Sequence, residues 1–419
     1  MRRCRSAFYI SVGLLLFTIV VAVPAHAQFP AFTPPPNAAP PPPPPVRKVL
    51  EDDGASAYAI TDLGTLPDDT TSRVAGAAVT WNHWEPEAVG GINKRGDVAL
   101  NFKRTTVGTR GGLYSAATGR ITTLPAGDPK ADTFLMGVAD DGRVLGQTTA
   151  GTTPGLVIWN GATLTSLSAQ KDENGRPRFG DITTAFAFSP NGRYAAGAIF
   201  LNGVGPTLAA WYDGALHHTD SLGQGFPQSW GVNDAGQVVG NARPAADDAH
   251  VLTTQAAFLW ASGTLSGLGP IVNGVNCGAR AINGSGTVAG WSDTQDVMVV
   301  HRRDVHAVLW KNGGVQDLGT LGGSSSTATD LNDAGQVVGF ATAAPNGLGQ
   351  PFLWQGGKMR DLSSLIPPNT GWALGGATIN YGGEGFLVVN AQGQIAGTGR
   401  RDGLARAYLL TPRSLLPKK

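Results

Sequence analysis

Short apolar runs alternate with turns rich in glycine and asparagine along most of the chain. In residues 330–339, DLNDAGQVVG, Leu331 lies on one side of a tight turn and the pair Val337-Val338 lies on the other. Asn and Asp tolerate turn geometry, and glycine takes a positive φ without steric cost. The pattern therefore predicts a β-hairpin, in which two short strands are joined by a turn at residues 332–335.

This hairpin pattern occurs seven times after residue 57. Each copy keeps its turn glycine, and successive turn glycines are 44 to 58 residues apart. The turn glycines are Gly96, Gly142, Gly192, Gly236, Gly286, Gly335 and Gly393. Self-similarity at a period of this size indicates a repeat architecture.

A second hairpin pattern alternates with the first. It consists of apolar residues that usually end in Trp, a glycine turn, and a strand that ends in Leu. In the sixth repeat the four predicted strands cover residues 327–332, 336–341, 351–354 and 358–362. Four antiparallel strands repeated every ~40 to 50 residues are the blade pattern of a β-propeller.

The two ends of the repeat region are incomplete in complementary ways. The seventh hairpin is followed by a third strand, residues 407–410, without a fourth. Before the first hairpin, residues 59–66 (AITDLGTL) match the fourth strand at residues 315–321 (VQDLGTL). Pairing these ends would close a ring and remove two exposed strand edges. We predict an all-β fold, a seven-bladed β-propeller over residues 57–412 closed by an N-terminal strand, with six or eight blades as alternatives.

Composition supports the β assignment and limits the classes of partner. Of 419 residues, 59 are glycine and only 15% are charged, which suits a turn-dense β protein better than a helical one. The chain has 31 basic and 30 acidic residues, and loss of the leader described next would remove three of the basic ones. A nearly neutral charge argues against nucleic acid or an anionic membrane as a general partner.

Residues 1–27 have the pattern of a secretory signal peptide. Three arginines within the first five residues precede an apolar run over residues 7–23, and Ala25-His26-Ala27 gives a small-x-small cleavage pattern. The alternative is an uncleaved anchor, because the apolar run almost spans a bilayer. We expect a secreted protein, periplasmic or extracellular, with no membrane insertion after cleavage.

The remaining segments outside the repeats are short. Residues 28–56 form a proline-rich linker, which favours a stiff extended spacer, and residues 413–419 form a C-terminal tail. Cleavage of the leader would remove Cys4 and leave Cys277 as the last cysteine, so no internal disulfide is expected. We interpret Cys277 as a small buried residue rather than a nucleophile.

Residues 306–339 (HAVLWKNGGVQDLGTLGGSSSTATDLNDAGQVVG) resemble the bacterial extracellular HAF repeat. The signature of that repeat combines His-Ala-Phe and Leu-Trp with Asp-Leu-Gly-Thr-Leu-Gly-Gly and an Asn-x-x-Gly-x-Val-Val-Gly turn. The resemblance covers most of residues 57–412 and is strongest after Gly231, although His306 alone keeps the first-position histidine. It implies secretion and a repeat fold, and it implies no established activity.

Function on such a propeller is expected on the rim whose loops differ between blades. The first-to-second turns are short and alike, whereas the second-to-third loops on the other rim vary in length and charge. The two longest, residues 241–256 and 291–306, belong to adjacent blades. We predict a binding patch there, with two solvated loops as the alternative interpretation. The candidate residues are Arg243, Asp247, Asp248, His250, Asp293, Asp296, His301, Arg302, Arg303 and Asp304.

Two other features are interpreted as structural. The repeated tryptophans invite a role in stacking on sugars, but their fixed place in each blade favours packing between blades. The Asn-Asp turns are interpreted as turn formers rather than calcium loops, which need a longer alternation of acidic ligands. The long loops do contain metal-ligand residue types, in Asp247, Asp248, His250, Asp293 and His301, but we expect no resident metal or cofactor.

The sequence contains no Gly-x-Ser-x-Gly, His-Glu-x-x-His or Walker pattern. We therefore predict a monomeric, non-enzymatic propeller that binds an extracellular or envelope protein, or a polysaccharide. The alternative is an extracellular hydrolase or lyase with Asp or His at the channel mouth, because carboxylates from distant blades can converge there. A third interpretation is a purely structural surface component.

Overall fold

The computed structural model describes residues 50–51, 54–66, 84–104, 108–125, 132–148, 155–167, 184–201, 205–213, 215–219, 227–242, 255–295, 304–345, 347–374 and 386–416. All of them lie in the compact unit Val46–Lys419. The predicted signal peptide, most of the proline-rich linker and the middle of both long loops lie outside these ranges. No helix within them is long and apolar enough to cross a bilayer.

The described strands form seven antiparallel sheets, which are the blades. Two strands, β1 (Leu50–Glu51) and β2 (Tyr58–Gly64), precede blade 1. Blade 1 comprises β3 (Trp84–Ile92), β4 (Val98–Arg104), β5 (Thr109–Ser115) and β6 (Arg120–Thr123). Blade 2 comprises β7 (Thr133–Val138), β8 (Val144–Thr148), β9 (Gly155–Trp159) and β10 (Leu164–Ser166). Blade 3 comprises β11 (Thr184–Phe188), β12 (Ala195–Leu201), β13 (Gly205–Tyr212) and β14 (Ala215–His218).

The later blades follow the same order. Blade 4 comprises β15 (Gln228–Val232), β16 (Val238–Ala242), β17 (Ala256–Ala261) and β18 (Thr264–Leu268). Blade 5 comprises β19 (Cys277–Ile282), β20 (Val288–Asp293), β21 (Val305–Lys311) and β22 (Gly314–Asp317). Blade 6 comprises β23 (Ser326–Leu331), β24 (Val337–Thr342), β25 (Gly349–Gln355) and β26 (Lys358–Asp361). Blade 7 contains β27 (Trp372–Ala373), β28 (Val388–Val389), β29 (Ile395–Arg401) and β30 (Leu404–Pro412), and short 3₁₀ turns occupy Leu362–Leu365 and Arg413–Leu415.

Strand β2 closes the ring by completing blade 7. It pairs antiparallel with β30 from Tyr58 opposite Pro412 to Gly64 opposite Ala407, and β1 adds to its outer edge. The first strands of successive blades contact one another, and β28 of blade 7 contacts β3 of blade 1. The predicted seven-bladed propeller closed by an N-terminal strand is therefore confirmed, and the alternatives of six or eight blades are excluded.

The hydrophobic core lies between adjacent blades. Trp310 of blade 5, for example, packs with Val239 and Ala257 of blade 4, and its indole N–H donates to the Gly269 carbonyl at 2.7 Å. Equivalent tryptophans occupy four of the other six interfaces, with Trp159, Trp211 and Trp260 buried and Trp354 partly buried. This arrangement confirms that the repeated tryptophans pack between blades.

The innermost strands of several blades approach each other so closely at one position that a side chain larger than that of Gly or Ala would not fit there. A Cβ atom on Gly231 of β15 would lie 3.0 Å from the Cα atom of Ala281 in β19. A Cβ atom on Gly91 of β3 would likewise lie 3.2 Å from the Cα atom of Gly137 in β7. This contact explains why Gly or Ala stands two residues before the turn in five of the seven repeats.

The asparagine of the repeated turn links each blade to the next. The Asn332 side chain accepts the Gln336 backbone N–H at 3.0 Å and donates its amide N–H to the Asn390 carbonyl of blade 7 at 2.9 Å. The same donation joins Asn93 to Ala139, Asn233 to Asn283, Asn283 to Asn332 and, across the closure, Asn390 to Asn93. These residues were predicted only as turn formers, and they also hold neighbouring blades together.

Blades 2 and 3 lack the turn asparagine and use other bonds. Ala139 and Ser189 occupy its place. The Asp140 N–H donates to the Pro190 carbonyl at 2.7 Å, which joins blade 2 to blade 3, and the Asn191 N–H donates to the Asp234 carboxylate at 2.8 Å, which joins blade 3 to blade 4. Hydrogen bonds at the turns therefore connect every pair of adjacent blades around the ring.

A partly buried ion-pair cluster crosses the closing pair of strands. Asp62 of β2 lies 3.5 Å from Arg401 Nη1 of β29 and 3.6 Å from Arg406 Nε of β30, and its side chain is 14% exposed. The same carboxylate also accepts the Gly64 N–H at 2.9 Å. The negative charge of Asp62, near the N-terminal end of the propeller, thus lies close to the positive charges of two arginines near its C-terminal end.

We expect Asn390→Asp to lower the free energy of unfolding by about 2–3 kcal/mol, because it replaces the donor to the Asn93 carbonyl with a carboxylate oxygen. Urea unfolding of both proteins measures the difference. Asn312→Asp is the matched control, since Asn312 is an exposed turn residue with φ 52°. Equal losses in the two variants would show that the inter-blade amide bond adds no stability.

We expect Asp62→Asn to lower the free energy of unfolding by about 1–3 kcal/mol, because it leaves Arg401 and Arg406 partly buried beside a neutral group. Asp402→Asn should change it by less than ~0.5 kcal/mol, since Asp402 is 76% exposed and lies 4.0 Å from the same Arg401. Chemical denaturation of the two variants provides the comparison, and a smaller effect at position 62 than at 402 would contradict the role of the closing ion pairs.

Candidate functional site

A cavity of about 610 Å³ runs along the axis between the first strands. All seven blades contribute lining residues, and the cavity reaches the rim that carries the first-to-second turns. Its volume is within the range of pockets that bind small molecules or segments of larger ligands. Within the part of the chain that the structure describes, this channel is the concave site that the fold positions best.

Each of the first six inner strands carries a β-bulge at the same place. The pairing of first and second strand skips one residue, three positions before the turn asparagine or its equivalent. The skipped residues are Gly90, Met136, Phe186, Trp230, Arg280 and Thr329. A bulge re-aims a side chain without shifting the rest of the strand. Gly90, Met136, Trp230, Arg280 and Thr329 line the cavity, and they differ in type from blade to blade.

Arg280, Trp230 and Phe386 form a cluster inside the channel. The Arg280 guanidinium carbon lies 4.2 Å from the centre of the Trp230 ring, and the ring centroids of Trp230 and Phe386 are 6.3 Å apart. Blades 4 and 7 are not neighbours, so the contact between these two rings spans the channel. Arg280 is only 7% exposed, and burial lowers its pKa to about 10, which still leaves it charged at neutral pH.

Asp330 faces the channel from blade 6 and bonds to blade 7. Its carboxylate accepts the Leu331 N–H at 2.9 Å and the Val389 N–H at 2.8 Å. The neighbouring Thr329 hydroxyl donates to the Leu387 carbonyl at 2.8 Å. Burial of the carboxyl group raises the pKa of Asp330 to about 7, although the hydrogen bonds from the Val389 and Leu331 N–H groups lower it.

Acidic side chains surround the mouth of the channel at the turn rim. Asp140, Asp234 and Asp333 each accept a backbone N–H of the preceding blade, from Lys94, Asn191 and Gly284 respectively, at 2.7–2.9 Å. The Lys94 ammonium also lies 3.5 Å from Asp140. These aspartates hold blades together. Because Lys94 pairs with Asp140, Asp234 and Asp333 leave the described part of the mouth with a net negative charge, while the interior carries Arg280.

The predicted binding patch on the other rim is described only at its base. Asp293 is buried and accepts the side-chain amide of Asn276 at 2.7 Å, and the Asp304 carbonyl accepts the Thr294 N–H at 3.1 Å. The other eight candidates lie outside the described residues: Arg243, Asp247, Asp248, His250, Asp296, His301, Arg302 and Arg303. Within the described ranges, no three His, Cys, Asp or Glu side chains are grouped closely enough to hold a metal ion.

Sequence reasoning missed the channel residues Trp230, Arg280 and Asp330. Their signal lies in the alignment of the repeats, because Asp330 stands where five repeats have Gly or Ala, and Arg280 stands three residues before its turn asparagine in a strand of otherwise small or apolar residues.

The structure agrees with the interpretation of Cys277 as a buried residue. Its thiol lies 3.0 Å from the Leu268 carbonyl, and burial raises its pKa to about 11.

Comparison with known proteins identifies the fold alone. No protein-family model and no curated protein matches the sequence. A solved puromycin-hydrolyzing peptidase from Mycobacterium tuberculosis is 12% identical, with a TM-score of 0.51, and the match covers 84% of this chain and 55% of that one.

Two archaeal structures match with lower scores. For the β-propeller domain of the Trilobed protease from Pyrococcus furiosus, the identity is 10%, the TM-score 0.49, and the coverage 78% of this chain and 95% of that one. For acylaminoacyl peptidase from Pyrococcus horikoshii, the identity is 13% and the TM-score 0.47, and the match covers 78% of this chain and 51% of that one. The chain thus spans about half the length of the two whole peptidases it matches, and what it shares with the Mycobacterium tuberculosis enzyme is the propeller fold.

We expect the stability difference between Asp330→Asn and the wild type to depend on pH. With a pKa of about 7 in the folded state and about 3.9 in the unfolded state, Asp330 favours folding below pH ~4, and that contribution is lost as pH rises to 7. The variant should therefore gain in Tm relative to the wild type between pH 5 and pH 8.

Thermal unfolding at four pH values tests this expectation, with Asp141→Asn as control. Burial would raise the pKa of Asp141, but hydrogen bonds from Arg143 lower it on balance, so Asp141 stays ionised in both states across this range. Its variant should differ from the wild type by a constant amount. A constant offset for Asp330→Asn as well would be incompatible with a carboxyl group that titrates near pH 7.

Proposed function

We propose that this protein is an exported, non-catalytic binding module related to the HAF repeats, whose partner inserts a group into the axial channel. The observation that supports this proposal is a contrast. The scaffold repeats from blade to blade, whereas the residue type at the bulge differs from blade to blade. The turn bonds recur around the ring, whereas the bulges present Gly90, Met136, Trp230, Arg280 and Thr329 to one cavity. A rigid frame with one set of non-repeating side chains suits recognition.

The chemistry of the channel favours a protein partner. Apolar residues line the cavity one position before the turn in every blade: Ile92, Val138, Phe188, Val232, Ile282, Leu331 and Val389. A polysaccharide that entered the channel would lose the hydrogen bonds between its hydroxyl groups and water. Apolar walls offer few hydrogen bonds to replace them. The acidic mouth also repels acidic polysaccharides. The two long loops on the other rim remain a predicted second contact surface.

The peptidases with similar propellers suggest a second candidate, a hydrolase or lyase, because the chain matches about half of each of those enzymes. Their identity of 12–13% supports no transfer of activity or of catalytic residues. In the proposed function, the channel binds and releases its ligand unchanged.

The decisive experiment measures partner binding with the channel open and with it narrowed. The full chain is expressed with its own leader, and the purified protein captures envelope proteins, which mass spectrometry identifies and titration with the purified partner quantifies. Met136→Trp fills part of the cavity and should weaken binding at least ~10-fold, the effect of about 1.4 kcal/mol. Met359→Trp, on the outermost strand β26 of blade 6, should leave the affinity unchanged.

Three outcomes would contradict the proposal. Equal affinity in both methionine variants would show that the partner contacts a surface outside the channel. Binding to a glycan array without any protein partner would show that the partner is a polysaccharide rather than a protein. Turnover of an extracellular polymer by the wild type, lost on Asp→Asn changes at the channel mouth, would establish the enzymatic alternative.

A further inference from the structure

The wall of the channel carries five bulky apolar side chains from four different blades. They are Phe134 and Met136 of blade 2, Phe188 of blade 3, Trp230 of blade 4, and Phe386, which precedes β28 of blade 7. Phe134 is 38% exposed, and the other four are partly buried. A concave surface of aromatic rings and a flexible thioether favours another apolar side chain, because contact removes apolar area of both partners from water.

The mouth of the channel is charged on one side only. On blades 1 and 2, the Lys94 ammonium lies 3.5 Å from the Asp140 carboxylate, so these two charges offset each other. On blades 4 and 6, Asp234 and Asp333 are exposed at the tips of their turns. The turns of blades 4 to 6 contain no Lys or Arg, over residues 233–237, 283–287 and 332–336. The excess negative charge therefore lies on the side of blades 4 to 6.

The scaffold fixes the positions of these two carboxylates. Asp234 accepts the Asn191 N–H at 2.8 Å, and Asp333 accepts the Gly284 N–H at 2.7 Å. Side chains that are already held in place lose little conformational freedom when a ligand binds. Opposite charge on a partner also raises the rate of encounter and suppresses binding of acidic competitors. The mouth thus favours a basic group next to the apolar group that enters the channel.

The interior arginine does not reverse this preference. Arg280 stands three residues before its turn asparagine, roughly 10 Å along the strand at about 3.3 Å per residue, and its guanidinium lies over the Trp230 ring. A basic group at the mouth is therefore closer to Asp234 and Asp333 than to Arg280.

We infer that the channel binds a partner segment in which a bulky apolar side chain, such as that of Phe, is flanked by Lys or Arg. The apolar side chain enters the cavity, and the basic residues contact Asp234 and Asp333 at the mouth. The inference deepens the proposed function and rests on it, because it specifies the segment that the protein partner would insert.

Calorimetric titration of the purified full chain with three capped peptides tests the inference. The first is acetyl-Lys-Gly-Phe-Gly-Lys-amide, the second replaces both Lys residues with Glu, and the third replaces Phe with Ala. We expect the wild type to bind the first peptide at least ~10-fold more tightly than either of the others. The preference for Lys over Glu should decrease between ~0.05 M and ~0.5 M salt, because salt screens exposed charges, whereas the preference for Phe over Ala should persist.

Three variants separate the two parts of the site. Replacing both Asp234 and Asp333 with Asn should remove the preference for Lys over Glu and keep that for Phe over Ala, since the Asn side chains retain an oxygen for the backbone N–H groups. Met136→Trp should do the reverse, because it fills part of the cavity. Asp402→Asn is the charge-matched control and should keep both preferences, because Asp402 is 76% exposed and follows β29 on the other rim.

Equal binding of the Lys and Glu peptides to the wild type would overturn the inference, whether or not the variants fold. Equal binding of the Phe and Ala peptides, or no binding of the first peptide up to ~1 mM, would overturn it as well. Failure of the proposed function gives a different result. A captured partner that Met136→Trp weakens, together with equal binding of the Lys and Glu peptides, refutes the inference alone. Partner binding that Met136→Trp leaves unchanged refutes the proposed function, and the inference with it.

Discussion

The geometry of the ring depends on one side-chain amide used in two directions. An asparagine amide carries an acceptor and a donor, so the same residue fixes its own turn and reaches the carbonyl of the next blade. A carboxylate lacks the donor, and a serine hydroxyl is too short for both contacts. The inner strands also approach closely at the position two residues before the turn, which is Gly or Ala in five of the seven repeats.

The β-bulge separates the scaffold from the site. Pairing continues undisturbed on both sides of the skipped residue, so the blade keeps its register while one side chain turns towards the channel. Gly90, Met136, Trp230, Arg280 and Thr329 occupy this same structural position, so the residue type at the bulge varies while the strand pairing is kept. Thr329 also bonds to the Leu387 carbonyl of blade 7, so at that blade a change of residue would alter an interface between blades.

The sequence was sufficient to predict the blades, their strand order and the closing strand, because these depend on periodic turns and on the match between residues 59–66 and 315–321. It did not reveal the channel site. Strict alternation assigns Arg280 to the wrong face, and only a skipped pairing partner, which leaves no mark in the residue types, re-aims it. Asp330 was assigned to the repeated scaffold because its hairpin is repeated, although its own position departs from the small residues found in five other repeats.

The closing strand has a consequence for how the chain acquires its structure. Tyr58 pairs with Pro412, so blade 7 cannot form until both ends of the repeat region exist and meet. A contact of such long sequence separation carries the loop-closure entropy of nearly the whole domain and forms late. During synthesis, β2 lacks its pairing partner until β30 has been made, so the ring cannot close before then. For a chain that we propose to be exported, this order delays ring closure and favours translocation before the ring is complete.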